Sequence, residues 1–319
     1  MARKLVIWIF HDARPGHLSQ LEGLVSRLSF HQNCSIRWFN VSKQKLSIQH
    51  LFYIPKALKR LTAPDLILGA GHSTHLSVLI AGIKFKAFTA LIMKPSLPSC
   101  FFDAIICPKH DGLVDSNKVL STLGAINKII PASAYAEAPK RNKYLMLIGG
   151  PSKHFIFDEI KLIKHIQEIC QADTSKAWHL SDSPRTPISF IPALQKLSLS
   201  NLNLYSYTDD SFGKLNEALI QSNFTWVTPD SMSMLYESLT AGSRTAVFDM
   251  PLSKEYKPSR IAKQVQELIS TETVISFTSW RLQKAQTSSL KQTQTASTLW
   301  EAERAALWLL KRLKENCKQ

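Results

Sequence analysis

The sequence predicts an α/β chain built from two units, each a parallel sheet covered by helices on both faces. Three observations carry this. Short, near-continuous apolar runs alternate with amphipathic stretches up to residue 107, the pattern stops over residues 131–143, and it then restarts. The length of 319 residues is about twice the ~150 that serve as a prior for one domain.

In chain order, residues 4–10 (KLVIWIF) form a buried strand, and apolar positions 18, 21, 24, 25 and 28 give the spacing of a helix. Strands follow at 35–41, 65–68, 88–93 and 103–107, with a helix from about 76. Residues 131–143 (PASAYAEAPKRNK) are rich in Ala, Pro and charge and lack an apolar period, as expected of a linker. The second unit has strands at 144–148, 177–180, 202–207, 224–227 and 245–248. Helices are expected at 158–170, 188–197 and 231–241, the last closed by Gly242. Residues 285–297 form a Thr/Gln/Ser-rich loop, and 299–314 an amphipathic helix. The expected domains are thus 1–137 and 138–285, facing a cleft, with 286–319 returning to pack on the first; Trp300 and Trp308 are then packing residues.

Apolar residues make up 45% and charged residues 20%, so the chain can bury a large core and is not disordered. The net charge is 39 − 24 = +15, which calls for an anionic partner: nucleic acid, a membrane surface or phosphorylated small molecules. Only six apolar residues precede His11, too few for a signal peptide, and the apolar stretch 76–93 is interrupted by Lys84 and Lys86. Five cysteines without a CxxC pair suit reduced thiols in the cytoplasm.

In open parallel sheets, ligands bind beyond the carboxyl ends of the strands. Three such loops in the first unit are His11-Asp12-Ala13-Arg14-Pro15-Gly16-His17, Gly69-Ala70-Gly71-His72-Ser73-Thr74-His75 and Pro108-Lys109-His110-Asp111, which hold five of the ten histidines. Pro15 and Gly16 suit a sharp turn before a helix whose positive end favours an anion. In the second unit, Gly149-Gly150-Pro151-Ser152 is a close-approach loop. The segment Thr228-Pro229-Asp230-Ser231-Met232-Ser233 opens a helix, with Asp230 or Ser231 as N-cap and the hydroxyls of Ser231 and Ser233 beside its amides. Glu237, about a turn further on, can accept from ribose hydroxyls. Each feature also has a purely structural explanation, as a capped helix or a loop histidine.

Several enzyme classes fail the test. Gly69-Ala70-Gly71 is followed by Thr74 where a dinucleotide fingerprint needs its third glycine. No Tyr is followed four residues later by Lys, so a short-chain dehydrogenase or sugar epimerase mechanism has no evident catalytic pair. There is no phosphate-binding P-loop, no nucleophile elbow and no recognisable set of metal ligands. A nucleic-acid motif is also missing.

The segments from Asp12 to Gln20, Pro108 to Asp111, Thr122 to Ala125, Leu147 to Ser152 and Val227 to Met234 resemble, in order, the motifs of the "elongated mitochondria" family of mitochondrial fission. Its bacterial members are regarded as glycosyltransferases of lipooligosaccharide assembly. The spacing is also similar to the GT-B glycosyltransferase fold, with two Rossmann-like domains. His72 replaces a usual Arg, Lys94 precedes Pro95 where an acid is common, and Pro184-Arg185-Thr186-Pro187 lacks the first Arg of an Arg-Arg-Thr-Pro element. The resemblance implies a nucleotide sugar on the second domain. Gly149, Gly150 and Ser152 would approach the nucleotide, and Asp230, Ser231, Ser233, Met234 and Arg185 would surround the diphosphate. Glu237 would take the ribose. It implies an anionic glycolipid or polysaccharide acceptor on the first domain, Gly16 and His17 facing the transferred sugar. His17 would be the base, supported by Asp12 and His110, with no cofactor and no obligatory metal. A peripheral contact with the inner face of the cell membrane through Lys311, Arg312 and Lys314 is a further expectation. The alternative is a non-catalytic interaction protein on the same fold, as the plant fission role suggests.

Overall fold

The computed structural model describes residues 3–43, 46–47, 49, 56–208, 215–253, 259–286 and 299–316. The Thr/Gln/Ser-rich loop expected at 285–297 falls almost entirely outside these residues, as does Cys317. The chain divides into two compact units, one of Met1–Lys128 with Trp300–Gln319, the other Ile129–Leu299. The boundary expected at 137/138 therefore moves to 128/129. The reason is physical: Ile129 is already buried in the core of the second unit.

The first unit begins β1 (Leu5–His11), α1 (Pro15–His31), β2 (Cys34–Asn40), α2 (Lys56–Lys59), β3 (Leu66–Ala70) and α3 (His75–Phe85). It continues with β4 (Phe88–Ile92), β5 (Ala104–Pro108) and β6 (Val119–Thr122). The second contains β7 (Lys143–Leu147), α4 (Glu159–Ala172), β8 (Trp178–Ser181), α5 (Phe190–Gln195), β9 (Leu202–Tyr205), α6 (Leu215–Ile220), β10 (Ser222–Val227) and α7 (Met232–Ala241). It ends with β11 (Arg244–Val247), α8 (Arg260–Ser270), β12 (Ile275–Ser276) and α9 (Phe277–Gln286). The chain then returns to the first unit as α10 (Glu301–Asn316).

Both sheets are parallel, ordered β2-β1-β3-β4-β5-β6 and β12-β11-β10-β7-β8-β9. Period-two alternation divides each strand between two cores. Ile7 and Ile9 of β1 face α1 and α10, whose Leu21, Leu24, Leu28, Ala305 and Leu309 are buried with them. Trp8 and Phe10 face the other way, toward Val78 and Ala81 of α3. In the second unit, Met146 and Trp226 share a core with Leu162 and Ile166 of α4 and Phe277 and Trp280 of α9. On the opposite face, Leu145 and Val227 pack with Leu235 and Leu239 of α7.

Helix α1 starts three residues earlier than the periodicity predicts, because Pro15 occupies its first turn. Gly16 and His17 therefore belong to the helix, and the sharp backbone lies instead at Ala13, with φ 62°. A β-carbon added to Gly16 would meet nothing within 4 Å, so no close approach demands a glycine there. Gly23 is different: a β-carbon would lie 2.3 Å from the Asn127 carbonyl, so its absence lets α1 sit tightly on the strand-side loop.

Helix α10 is held to α1 by polar as well as apolar contacts. The Arg27 guanidinium donates to Glu303 at 2.6 Å and lies 4.2 Å and 4.5 Å from the Phe30 and Trp300 ring centres. Glu303 also meets His31 at 2.7 Å. Because Leu309 is fully buried in this contact, Leu309→Ala should lower stability by about 2–5 kcal/mol in denaturant unfolding monitored on the first unit.

Candidate functional site

In a doubly wound sheet, loops part where the strand order reverses, leaving a crevice at the carboxyl ends. That reversal falls between β1 and β3 in the first unit and between β7 and β10 in the second. The paired strands end flush there, His11 opposite Ala70 and Leu147 opposite Val227.

At the first crevice, the Asp12 carboxylate gathers three donors. His17 Nδ1 lies 2.8 Å from Oδ1, the Arg14 amide donates to the same oxygen at 3.3 Å, and the Ser73 hydroxyl donates to Oδ2 at 3.5 Å. The Arg14 guanidinium adds a weaker ion pair at 3.6 Å. Burial raises the pKa of Asp12, but the hydrogen bonds from His17 and the Arg14 amide, with the charges of His17 and Arg14, outweigh it and hold the carboxyl below its usual range. An ionised carboxylate only accepts, so Nδ1 carries a proton, and whenever the ring holds a single proton Nε2 is the acceptor. Asp12 and His17 are 9% and 14% exposed at their side chains.

Gly71 closes this dyad from the β3 side. Its φ is 91°, and a β-carbon there would lie 2.5 Å from His17 Nδ1 and 2.8 Å from Asp12 Oδ2. Sequence reasoning places Gly71 and Ser73 in a rim loop but gives neither a contact with the dyad; the Gly-Ala-Gly run is the available signal. His110 follows β5, three strand positions or about 14 Å along the sheet from β1. It pairs weakly with Asp111 at 3.7 Å and stands at the far end of the rim from the dyad.

His75 has a structural place. Its Nδ1 accepts from the Ser96 amide at 3.3 Å and meets the Ser96 hydroxyl at 2.9 Å. Burial, with a smaller contribution from the His72 charge, pushes its pKa down to about 4.

At the second crevice, three loops are tied to one another. Gly149 N–H donates to Thr228 Oγ1 at 2.7 Å, and Gly150 N–H to Asp230 Oδ2 at 3.0 Å. Arg185 pairs with the same Asp230 oxygen at 2.7 Å, and the Thr186 hydroxyl bonds the carbonyls of Ile148 and Gly149. The Asp230 side chain is completely buried, and its Oδ1 has no partner among the described residues. Both glycines are demanded by this protein-to-protein packing: β-carbons would lie 2.2 Å from Asp230 Oδ2 and 2.1 Å from the Arg185 carbonyl. Ser152 turns inward too, its hydroxyl accepting from the amides of His154 and Phe155 at 3.2 Å and 3.1 Å.

Ser231 is the residue before α7, yet its side chain makes no capping hydrogen bond, and Asp230 points away into the loop contacts. The first-turn amides of α7 thus lie beside the Ser231 and Ser233 hydroxyls, with Ser233 exposed. Met234 and Glu237 are half-buried further along. The other end of α7 is anchored by Arg141, which donates to the carbonyls of Ala241 at 2.8 Å and of Gly242. Among the described residues, no group of three or more His, Cys, Asp or Glu is placed to hold a metal.

This architecture, two Rossmann-like units in one α/β chain, is GT-B-like. The chain belongs to the mitochondrial fission ELM1 family, whose model matches residues 15–313. A Rickettsia prowazekii protein described as uncharacterised is 24% identical over 312 residues, covering 82% of this chain and 88% of that one. Two solved structures share the fold: UDP-GlcNAc 2-epimerase from Methanocaldococcus jannaschii and MurG from Acinetobacter baumannii. The first has a TM-score of 0.58 at 14% identity, covering 96% of this chain and 100% of its own. The second has 0.54 at 11%, covering 98% and 99%. No helix among the described residues is long and apolar enough to cross a membrane.

His75 gives a pH test with a definite sign. Its folded pKa of about 4 lies below the ordinary 6.5, so the unfolded chain takes up the proton first and stability falls as pH drops from 6.5 toward 4. His165, buried and also pushed to about 4, acts in the same window. His75→Asn, which keeps an acceptor but cannot be protonated, should reduce the slope of the denaturation midpoint between pH 6.5 and 4 without abolishing it.

Proposed function

We propose that this chain is a cytoplasmic glycosyltransferase moving a sugar from a nucleotide-sugar donor to a lipid-linked or lipooligosaccharide-type acceptor. The observation that carries the proposal is the dyad of Asp12 and His17 at the first switch point, 2.8 Å apart with Nε2 left as a base. The donor site of this reading lies at the second switch point, with the α7 amino terminus, Ser231 and Ser233 taking the diphosphate, Arg185 its charge and Glu237 the ribose; the uncapped start of α7 and the position of Arg185 beside it support this. The GT-B-like fold, shared with proteins named for UDP-GlcNAc epimerisation and with MurG, supports the donor class.

In this mechanism His17 Nε2 takes the proton of an acceptor hydroxyl as its oxygen bonds to the anomeric carbon. The bond from that carbon to the donor diphosphate breaks, and the diphosphate leaves with the electron pair. Asp12 keeps Nδ1 protonated and stabilises the imidazolium that forms. The helix terminus and Arg185 stabilise the leaving charge, so no metal is assigned a step.

Thermal-shift titration with UDP, GDP, ADP and CMP tests the donor half. One of these nucleotides should raise the melting temperature of the wild type, and Ser231→Ala/Ser233→Ala should weaken its binding by roughly tenfold, the loss of one or two hydrogen bonds to a charged group. A silent panel, together with full function of His17→Ala in vivo, would favour the non-catalytic interaction role instead.

A further inference from the structure

The charge excess is divided unequally. The first unit holds 21 of the 39 Lys and Arg and 9 of the 24 Asp and Glu, so it carries +12 of the +15, and the second unit carries only +3. A donor diphosphate on the second unit therefore does not account for the charge.

Much of the excess lies at one end of the first sheet. The residues that lead into its parallel strands include Lys4 before β1, Lys59 and Arg60 before β3, Lys84 and Lys86 before β4, and Lys118 before β6, and all six are exposed. Backbone bonds fix the placement at the amino-terminal end: the Asp65 amide donates to Val6, Phe88 to Asp65, and Ile105 to Lys118. From β1 to β6 the sheet is about 19 Å wide, four strand spacings.

The acidic groups at this end are engaged. Asp65 accepts from the Val6 amide and pairs with Arg3, Asp103 accepts the amide and hydroxyl of Thr89, and Glu303 is bonded to Arg27 and His31. Two large apolar side chains stand among the lysines, Ile83 at 58% exposure and Phe101 at 53%. This end is opposite the rim that carries Asp12 and His17.

We infer that the amino-terminal end of the first sheet is a docking face for an anionic lipid bilayer. Spread cations complement a negatively charged headgroup layer, and Ile83 and Phe101 supply the apolar contact that a purely electrostatic polyanion site does not need. The face is distinct from the terminal-helix cations, of which Arg312 pairs with Glu315 at 3.2 Å. The inference does not depend on sugar transfer, so vesicle binding is read without any donor.

The test is flotation of the full chain with phosphatidylcholine vesicles containing or lacking about 30% phosphatidylglycerol, a composition chosen to give an anionic surface. The wild type should float with the anionic vesicles only. Lys4→Gln/Arg60→Gln/Lys118→Gln should weaken this on the order of 100-fold, from about fivefold per cation, and Ile83→Ser/Phe101→Ser should weaken it several-fold at unchanged charge. Nucleotide-induced thermal shifts, which read the donor site, should be the same in both variants and report that they fold. Equal flotation with both vesicle types, an unaffected charge variant, or an apolar variant that floats like the wild type while a labelled RNA competes the protein off the vesicles would overturn the inference.

Discussion

Parallel strands can be joined only by crossovers, and a sheet wound first one way and then the other must open its loops where the winding reverses. Everything chemical in this chain follows from that constraint, applied twice. Between β1 and β3, and again between β7 and β10, neighbouring strands send their following segments to opposite faces. Backbone, helix termini and polar side chains are left at the crevice.

Each crevice is then organised by one sheltered carboxylate. Asp12 draws the α1 amino terminus, His17 and the loop after β3 together. Asp230 does the same for the Gly-Gly turn after β7 and for Arg185 after β8. A buried carboxylate is costly unless donors surround it, so these two residues make loop geometry cooperative: removing either releases donors from separate segments at once. The first carboxylate orients the His17 imidazole, whereas the second holds a cation and leaves the neighbouring helix terminus uncapped by its own serine.

The strands were legible because buried parallel strands are nearly continuous apolar runs, as in KLVIWIF and YLMLI. Their loops at the sheet rim were legible for the same reason, since chemistry-bearing residues directly follow each run. Short or weakly patterned elements were missed: β6, α6, the two-residue β12, and α8 and α9, which lie beyond the last strong strand. The linker signal at 131–143 marked a real gap in regular structure, but composition could not show that Ile129 enters the second core or that Arg141 caps α7. At the site, the residue types were visible and their geometry was not. Gly149 and Gly150 admit the protein's own Asp230 and Arg185, Ser152 closes a local turn, and Gly71 is the glycine on which the dyad depends.

Sugar transfer by His17, oriented by Asp12, from a nucleotide sugar on the second unit is tested most directly by measuring release of nucleoside diphosphate. A panel of nucleotide sugars is offered to wild type and His17→Ala, and the two are compared at saturating donor. One donor should be consumed by the wild type. His17→Ala should bind it with similar affinity but release the diphosphate about 10²–10⁴-fold more slowly, the range for loss of a general base. Equal release by the two proteins, or binding of the donor with no release by either in the presence of a membrane extract, would contradict a catalytic His17.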